Sequence, residues 1–327
     1  MTVDAPDVPG PGGDRSTAAD GGEPAADGGD LAADGGEPAA DRVETTTDAA
    51  TGGALVDRLP VRPGRTLAVL DREFRTVLRT PALLVLAAGF LAVVVGVAFL
   101  GSGGGAGYVP LALDLLAPVE VLVPLLAFAF GARSVRSDAE RGELDVVRTF
   151  PVDRSEYVVG VIAGRAAALL PVVVGSLLVA GIVPALSAGG PTVVATHAGG
   201  DSPLLYLRFV VLAAAFATVV LAVAVAVSTV ARSARETIAL AVVLLIALVV
   251  GIDGGLVAAV GGGLLDGADL AVATALSPNG AVRGLVLALV ADPISSAGPG
   301  PVGVVAGVTG LAGWLVGAVA VAVAKVW

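Results

Sequence analysis

Six stretches of this chain, at about 82–100, 113–132, 158–183, 205–230, 237–257 and 303–324, are nearly free of charge, and each is 19 residues or longer. A helix rises 1.5 Å per residue, so about 20 apolar residues cross the hydrocarbon core of a bilayer. In lipid every backbone polar group must be satisfied inside the segment, which a helix achieves on its own. The expected fold class is therefore an all-α polytopic membrane protein with six transmembrane helices. Composition supports this, because 56% of the residues are hydrophobic while only 4% are aromatic, so Ala, Val, Leu and Gly carry the apolar mass.

Charge placement sets the expected orientation. Arg58, Arg62, Arg65, Arg72, Arg75 and Arg79 precede the first span, and Arg133, Arg136, Arg141, Arg148 and Arg154 lie between the second and third. Arg232 and Arg235 separate the fourth from the fifth, and Lys325 follows the sixth. The alternate loops hold Arg283 alone. Basic residues concentrate on the cytoplasmic side. The expectation is a multi-pass cell-membrane protein with both termini cytoplasmic. Of the loops on the other side, 101–112 is short and Gly-rich, and 184–204 contains His197 and Asp201. The loop at 258–302 contains two apolar runs too short to span, 268–276 and 280–291, split by Ser277, Pro278 and Asn279. These are expected to form short external helices between spans five and six, with Asn279 as the N-cap of the second.

The net charge of −10 belongs to the N-terminal tail, since residues 1–57 hold 13 of the 29 acids and only two arginines. Within it, residues 18–41 repeat Ala-Ala-Asp-Gly-Gly units with a period of seven. Leu31 is their one apolar anchor, so no coiled-coil seam exists. A Gly-, Pro- and Asp-rich tract buries too little apolar surface to offset its ordering entropy. Residues 1–57 are expected to be a disordered, acidic cytoplasmic tail. They do not read as a signal peptide, lacking a basic start and an apolar core. Residues 58–327 are expected to form the six-span transmembrane domain.

Several chemistries are excluded. There is no cysteine, hence no disulfide, thiolate metal site or cysteine nucleophile. His197 is the single histidine. No Ser/His/Asp set and no metal-ligand cluster is visible, so neither a catalytic residue nor a cofactor is expected. A P-loop needs Gly-x-x-x-x-Gly-Lys-Ser/Thr. The one lysine, Lys325, does not follow a glycine. The chain is not expected to be an enzyme, nor to bind nucleic acid.

Two segments carry a functional signal. In 66–80, Leu67, Leu70, Phe74, Val77 and Leu78 share one helical face while Arg72, Arg75 and Arg79 share another. Pro81 breaks this helix before the first span. It is expected to lie in the plane of the membrane interface, arginines toward lipid phosphates. The loop 133–157 is dense in charge of both signs, and a short helix there would place Leu144, Val147 and Phe150 on one side. Mixed charge of this kind suits docking to a protein surface, or it is a solvated loop obeying the charge rule.

The run Glu140-Arg141-Gly142-Glu143-Leu144, followed by Phe150-Pro151-Val152-Asp153-Arg154-Ser155-Glu156-Tyr157-Val158-Val159-Gly160, resembles the signature joining spans two and three in ABC-2-type transporter permeases. Asp71-Arg72-Glu73-Phe74-Arg75 is similar to that family's Lys-Glu-Phe/Leu-Arg element before span one, and Ser277-Pro278 is similar to its Leu-Ser-Pro after span five. Two positions depart from the pattern: Glu143 stands where the family usually has Thr, and Val161 where it has Lys. The resemblance covers residues 66–327. It implies a dimerising six-span permease, pairing with itself or a relative, coupled to a separate ATP-binding cassette subunit. The coupling residues it implies are Glu140, Arg141, Gly142, Glu143, Leu144, Pro151 and Arg154, with Arg72, Glu73, Phe74, Arg75 and Arg79 on the interface helix.

Charges inside the spans are Glu120, Arg165, Arg208 and Asp253. An intramembrane acid is expensive and usually faces a cavity or a partner. Glu120, between Pro118 and Pro124, is the candidate for the translocation path, the alternative being a side chain that snorkels to the outer interface. Arg165 is expected to snorkel inward, and Arg208 and Asp253 to be interfacial. Other functional classes consistent with six spans are a secondary transporter or channel, and a membrane assembly protein that moves nothing. The sequence names no cargo and no transport direction.

Overall fold

The computed structural model describes residues 67, 71, 72, 75, 79–101, 103–147, 149, 152–187, 201–263, 273–291 and 300–326. Six helices among them are long and apolar enough to cross a membrane. Span one is Pro81–Leu100, span two Tyr108–Gly131, span three Arg154–Ala180, span four Pro203–Val230 and span six Gly300–Lys325. Span five runs Ala234–Ile246 and continues through a π-helical turn, Ala247–Gly251, into Ile252–Gly261. No strand occurs among the described residues. The protein is all-α and polytopic, as the apolar runs imply.

The helix starts follow local chemistry. Pro81 and Pro203 occupy first-turn positions, where the missing N–H has no intrahelical partner to lose. Ser202 accepts from the Leu204 N–H at 3.2 Å, and Ser233 from the Glu236 N–H at 3.2 Å. Span three opens with a capping box in which the Asp153 N–H donates to Glu156 Oε2 at 3.0 Å.

Spans two and four are each 67% buried over their most apolar window, whereas spans one, five and six are 17%, 11% and 11% buried. The core therefore lies along spans two and four, flanked by span three. Gly131 at the end of span two has no room for a side chain, since a Cβ there would sit 2.8 Å from the Ala224 Cβ of span four. The apolar faces of spans one, five and six are left for lipid or another chain to cover.

Helix ends in this bundle are satisfied by side chains from neighbouring helices. Asp201, just before span four, accepts from the Tyr108 and Val109 N–H groups at 2.9 and 2.8 Å, capping the start of span two. Gly107 makes this approach feasible, having φ 133° and a position where a Cβ would lie 2.5 Å from Asp201 Oδ2. At the other end of span two, the Arg165 guanidinium of span three donates to the Phe130 carbonyl. Arg165 thus reaches toward the end of span two that leads into the loop 133–157 and caps it, a cation placed where a helix presents unpaired carbonyls.

The second short apolar run is a helix, Pro278–Val286, extended by a π-helical turn, Leu287–Ala291. Its N-cap is Ser277, which accepts from the Gly280 N–H at 3.2 Å. The expected cap, Asn279, is instead buried inside the helix, because Ser277 followed by Pro278 is the stronger start signal. Arg208 donates to the Leu289 carbonyl of the π-helical turn at 3.1 Å. The tail 1–57, His197 and the Asp253 side chain lie outside the described residues, as does most of the first run at 268–276.

Candidate functional site

Two short helices follow span two, Ser134–Glu140 and Glu143–Val147, joined by Arg141 and Gly142. The first is anchored at its start by Ser228 of span four, whose hydroxyl oxygen accepts from the Val135 and Arg136 N–H groups at 3.0 and 2.9 Å. Ser134 donates back to the Gly131 carbonyl at 2.8 Å. Gly142 has φ 72° and forms the left-handed turn that ends the first helix, its N–H bonded to the Ala139 carbonyl. Leu144 is buried in the core, so one face of the second helix packs inward as its apolar spacing requires.

Asp138 is the hub of this segment. It is 2% exposed, yet its carboxylate is fully engaged. Oδ1 accepts from Arg141 at 2.7 Å, and Oδ2 accepts from the Tyr157 hydroxyl at 2.7 Å and from Arg72. Arg72 also donates to Glu143 Oε2 at 3.0 Å, and Arg141 to Glu143 Oε1 at 2.7 Å. Two guanidinium groups thus sit between two carboxylates, with a fully buried phenol behind. Burying one carboxylate alone would be strongly unfavourable, and paired charges with donors on both oxygens offset that penalty.

The network draws together residues that sequence separates. Residues 67, 71, 72 and 75 are helical, and Arg79 and Thr80 form the turn before span one. Arg72 faces Asp138 and Glu143 rather than lipid, which corrects its expected direction: a buried acid recruits the nearest guanidinium. Arg75 pairs with Asp71 at 3.0 Å, and Arg79 is exposed. Glu140 is exposed and pairs with Arg136 at 3.2 Å, one turn earlier. Arg154 is exposed on the first turn of span three. Glu73, Phe74, Phe150 and Pro151 lie outside the described residues, as does the Val147 side chain.

Glu120 lies elsewhere, at a second polar point. It is 5% exposed and forms a two-pronged ion pair with Arg283 of the short helix, Nε to Oε1 at 2.8 Å and a terminal nitrogen to Oε2 at 2.5 Å. The Glu120 carbonyl accepts from the Asn279 side-chain amide at 3.1 Å. A snorkelling Glu120 is thereby corrected: the side chain turns into the protein because a cation is waiting there.

Asp138, Tyr157, Ser228, Asn279 and Arg283 carry these two constellations, and sequence reasoning assigned none of them its role. Only the Asp138–Arg141 pairing, at i and i+3, had a local signal. Among the described residues no group of three or more His, Asp or Glu is placed to hold a metal ion.

Residues 67–323 match the family model described as ABC-2 family transporter protein. The chain belongs to that family. As an ABC-2 family member it is a multi-pass membrane permease component of an ABC transporter. No curated protein matches it. In this ABC-2 permease residues 140–144 of the quoted signature join the two short helices, and its Arg141, Glu143 and Tyr157 belong to the Asp138 network. Members of the family work in general with an ATP-binding subunit.

Proposed function

We propose that this permease moves its cargo with ATP hydrolysed by a separate ATP-binding subunit, which docks on the two short helices and on the helical segment before span one. In this reading both segments face the cytoplasm of the cell membrane, as do both termini. Residues 58–327 form the permease, and 1–57 a cytoplasmic tail. Glu140, Arg141, Gly142, Glu143, Leu144, Pro151 and Arg154, with Arg72, Glu73, Phe74, Arg75 and Arg79, take up the partner's movement. Spans one and five supply apolar surface for a second copy or a related permease. Glu120, with Arg283 as counter-charge, is the candidate polar station on the path.

One observation carries the reading: Arg72 ties the segment before span one to Asp138 and Glu143 of the loop after span two. Two segments far apart in sequence are thereby fused into one charged unit beside the start of span three. Such a unit can receive a push and pass it to several spans at once.

The test is copurification and ATP turnover with the ATP-binding partner. Glu140→Ala and Gly142→Ala are expected to weaken partner binding or to uncouple hydrolysis from transport, while membrane insertion is unchanged. If both variants bind and turn over like the parent, coupling does not run through this segment. Topology is tested separately with Thr149→Cys, an exposed position in a chain without cysteine. A membrane-impermeant maleimide is expected to label it only after cells are opened, and labelling of intact cells would overturn the orientation.

A further inference from the structure

A groove of about 720 Å³ runs between the start of span three and one face of span six. Its lining is Arg154 together with aliphatic residues, among them Leu315, Val319, Ala320 and Val323. We propose that this groove holds one anionic phospholipid, its phosphate on Arg154 and an acyl chain along span six.

The chemistry of the lining selects the chain. Apart from Arg154, no lining side chain can donate or accept a hydrogen bond, so a polar occupant would be desolvated without compensation. Length selects the lipid. The lining residues of span six run from Leu315 to Ala324, a rise of about 13 Å at 1.5 Å per residue. That is close to half of the ~30 Å hydrocarbon core, the depth of one leaflet.

Charge selects the headgroup. Arg72, Arg75, Arg136, Arg141 and Arg283 each engage a carboxylate. Arg154 makes no ion pair or side-chain hydrogen bond with any described residue. Its nearest acids in sequence, Asp153 and Glu156, are committed to the capping box. A guanidinium at the edge of an apolar groove meets a phosphate through parallel N–H donors while its stem lies against hydrocarbon. A second cavity, of about 740 Å³ between spans four, five and six, has no charged residue in its lining, so nothing there selects a headgroup.

The site rests on the membrane-spanning assignment and not on ATP coupling, so it is tested on the purified full chain without any partner. Native mass spectrometry in detergent, titrating phosphatidylglycerol against phosphatidylcholine, is expected to show one phosphatidylglycerol retained per chain in preference to phosphatidylcholine. Arg154→Gln should weaken phosphatidylglycerol about five-fold, the effect of one cation near an anionic surface. Ala320→Trp keeps Arg154 and fills the groove from an exposed position, and should lower retention of phosphatidylglycerol on its own. Equal retention of the two lipids, or parent-like retention in either variant, overturns the proposal. So does efficient disulfide cross-linking of Val316→Cys between two copies in native membranes, which would show that a second chain covers this face.

Discussion

The Asn279 side-chain amide donates to the main-chain carbonyl of Glu120, 159 residues away in sequence. In a helix that carbonyl would accept from the N–H of residue 124, and residue 124 is proline. Asn279 therefore supplies the donor that Pro124 removes, which is how a proline becomes tolerable inside a membrane helix.

Asn279→Ala takes this donor from the buried Glu120 carbonyl and should destabilise the protein by about 1–3 kcal/mol. Thermal unfolding in detergent reads this as a lower midpoint. In a Pro124→Ala background the helix supplies its own N–H, and the penalty of Asn279→Ala should shrink to less than half. An unchanged penalty in that background would mean that Asn279 acts through something other than this carbonyl.

The ion pair beside it makes a separate prediction. Arg283→Gln takes the cation from a buried carboxylate, whereas Glu120→Gln takes the anion from a guanidinium that is 46% exposed and can reach water. Arg283→Gln should therefore be the more damaging, by about 2 kcal/mol once screening of the exposed partner is allowed for. The double variant should recover part of that loss, and a double-mutant cycle in the same unfolding assay measures the recovery.

Asp138→Asn keeps the shape of the hub and removes its charge. Arg72 and Arg141 then lose one of the two carboxylates they share, and the segment before span one should loosen from the two short helices. The expected result is a several-fold loss of partner-stimulated transport with normal membrane insertion. Tyr157→Phe removes one hydrogen bond and no charge, and should lower stability by only about 1 kcal/mol. Equal effects of the two changes on transport would argue against a charged hub.

Gly107→Ala should be costly for two reasons that can be separated. The added Cβ would meet Asp201 Oδ2 at 2.5 Å, and φ 133° is unfavourable for any side chain. About 2 kcal/mol is expected from the strain and the clash together. Adding Asp201→Ala removes the clash but not the strain, so the double variant should be less damaged than the two single effects predict when added. Unfolding midpoints of the four proteins decide it.

The spans were legible because hydropathy over 20 residues is a strong local signal, and so was the charged segment after span two, where charge of both signs clusters between two apolar runs. The partners within it were not. Asp138 reads as one more acid in a charged loop until Arg72 arrives from before span one, and Glu120 and Arg283 are 163 residues apart with no spacing rule to join them. Asn279 was misassigned although the correct signal was present: Ser277 followed by Pro278 already specifies a helix start. What the sequence hides here is long-range pairing, since buried Asp138 and Glu120 each take a cation from a distant element.

Span four reaches both ends of the segment 108–140, through Asp201 at one end and Ser228 at the other. Four backbone N–H groups, those of Tyr108, Val109, Val135 and Arg136, are held this way. Axial slippage of that segment against span four would break all four bonds at once, whereas leaning the two together as a single rod breaks none. A force applied at residues 134–140 thus finds its easiest outlet in rocking, and the far end of the rod, beside Gly107, swings with it.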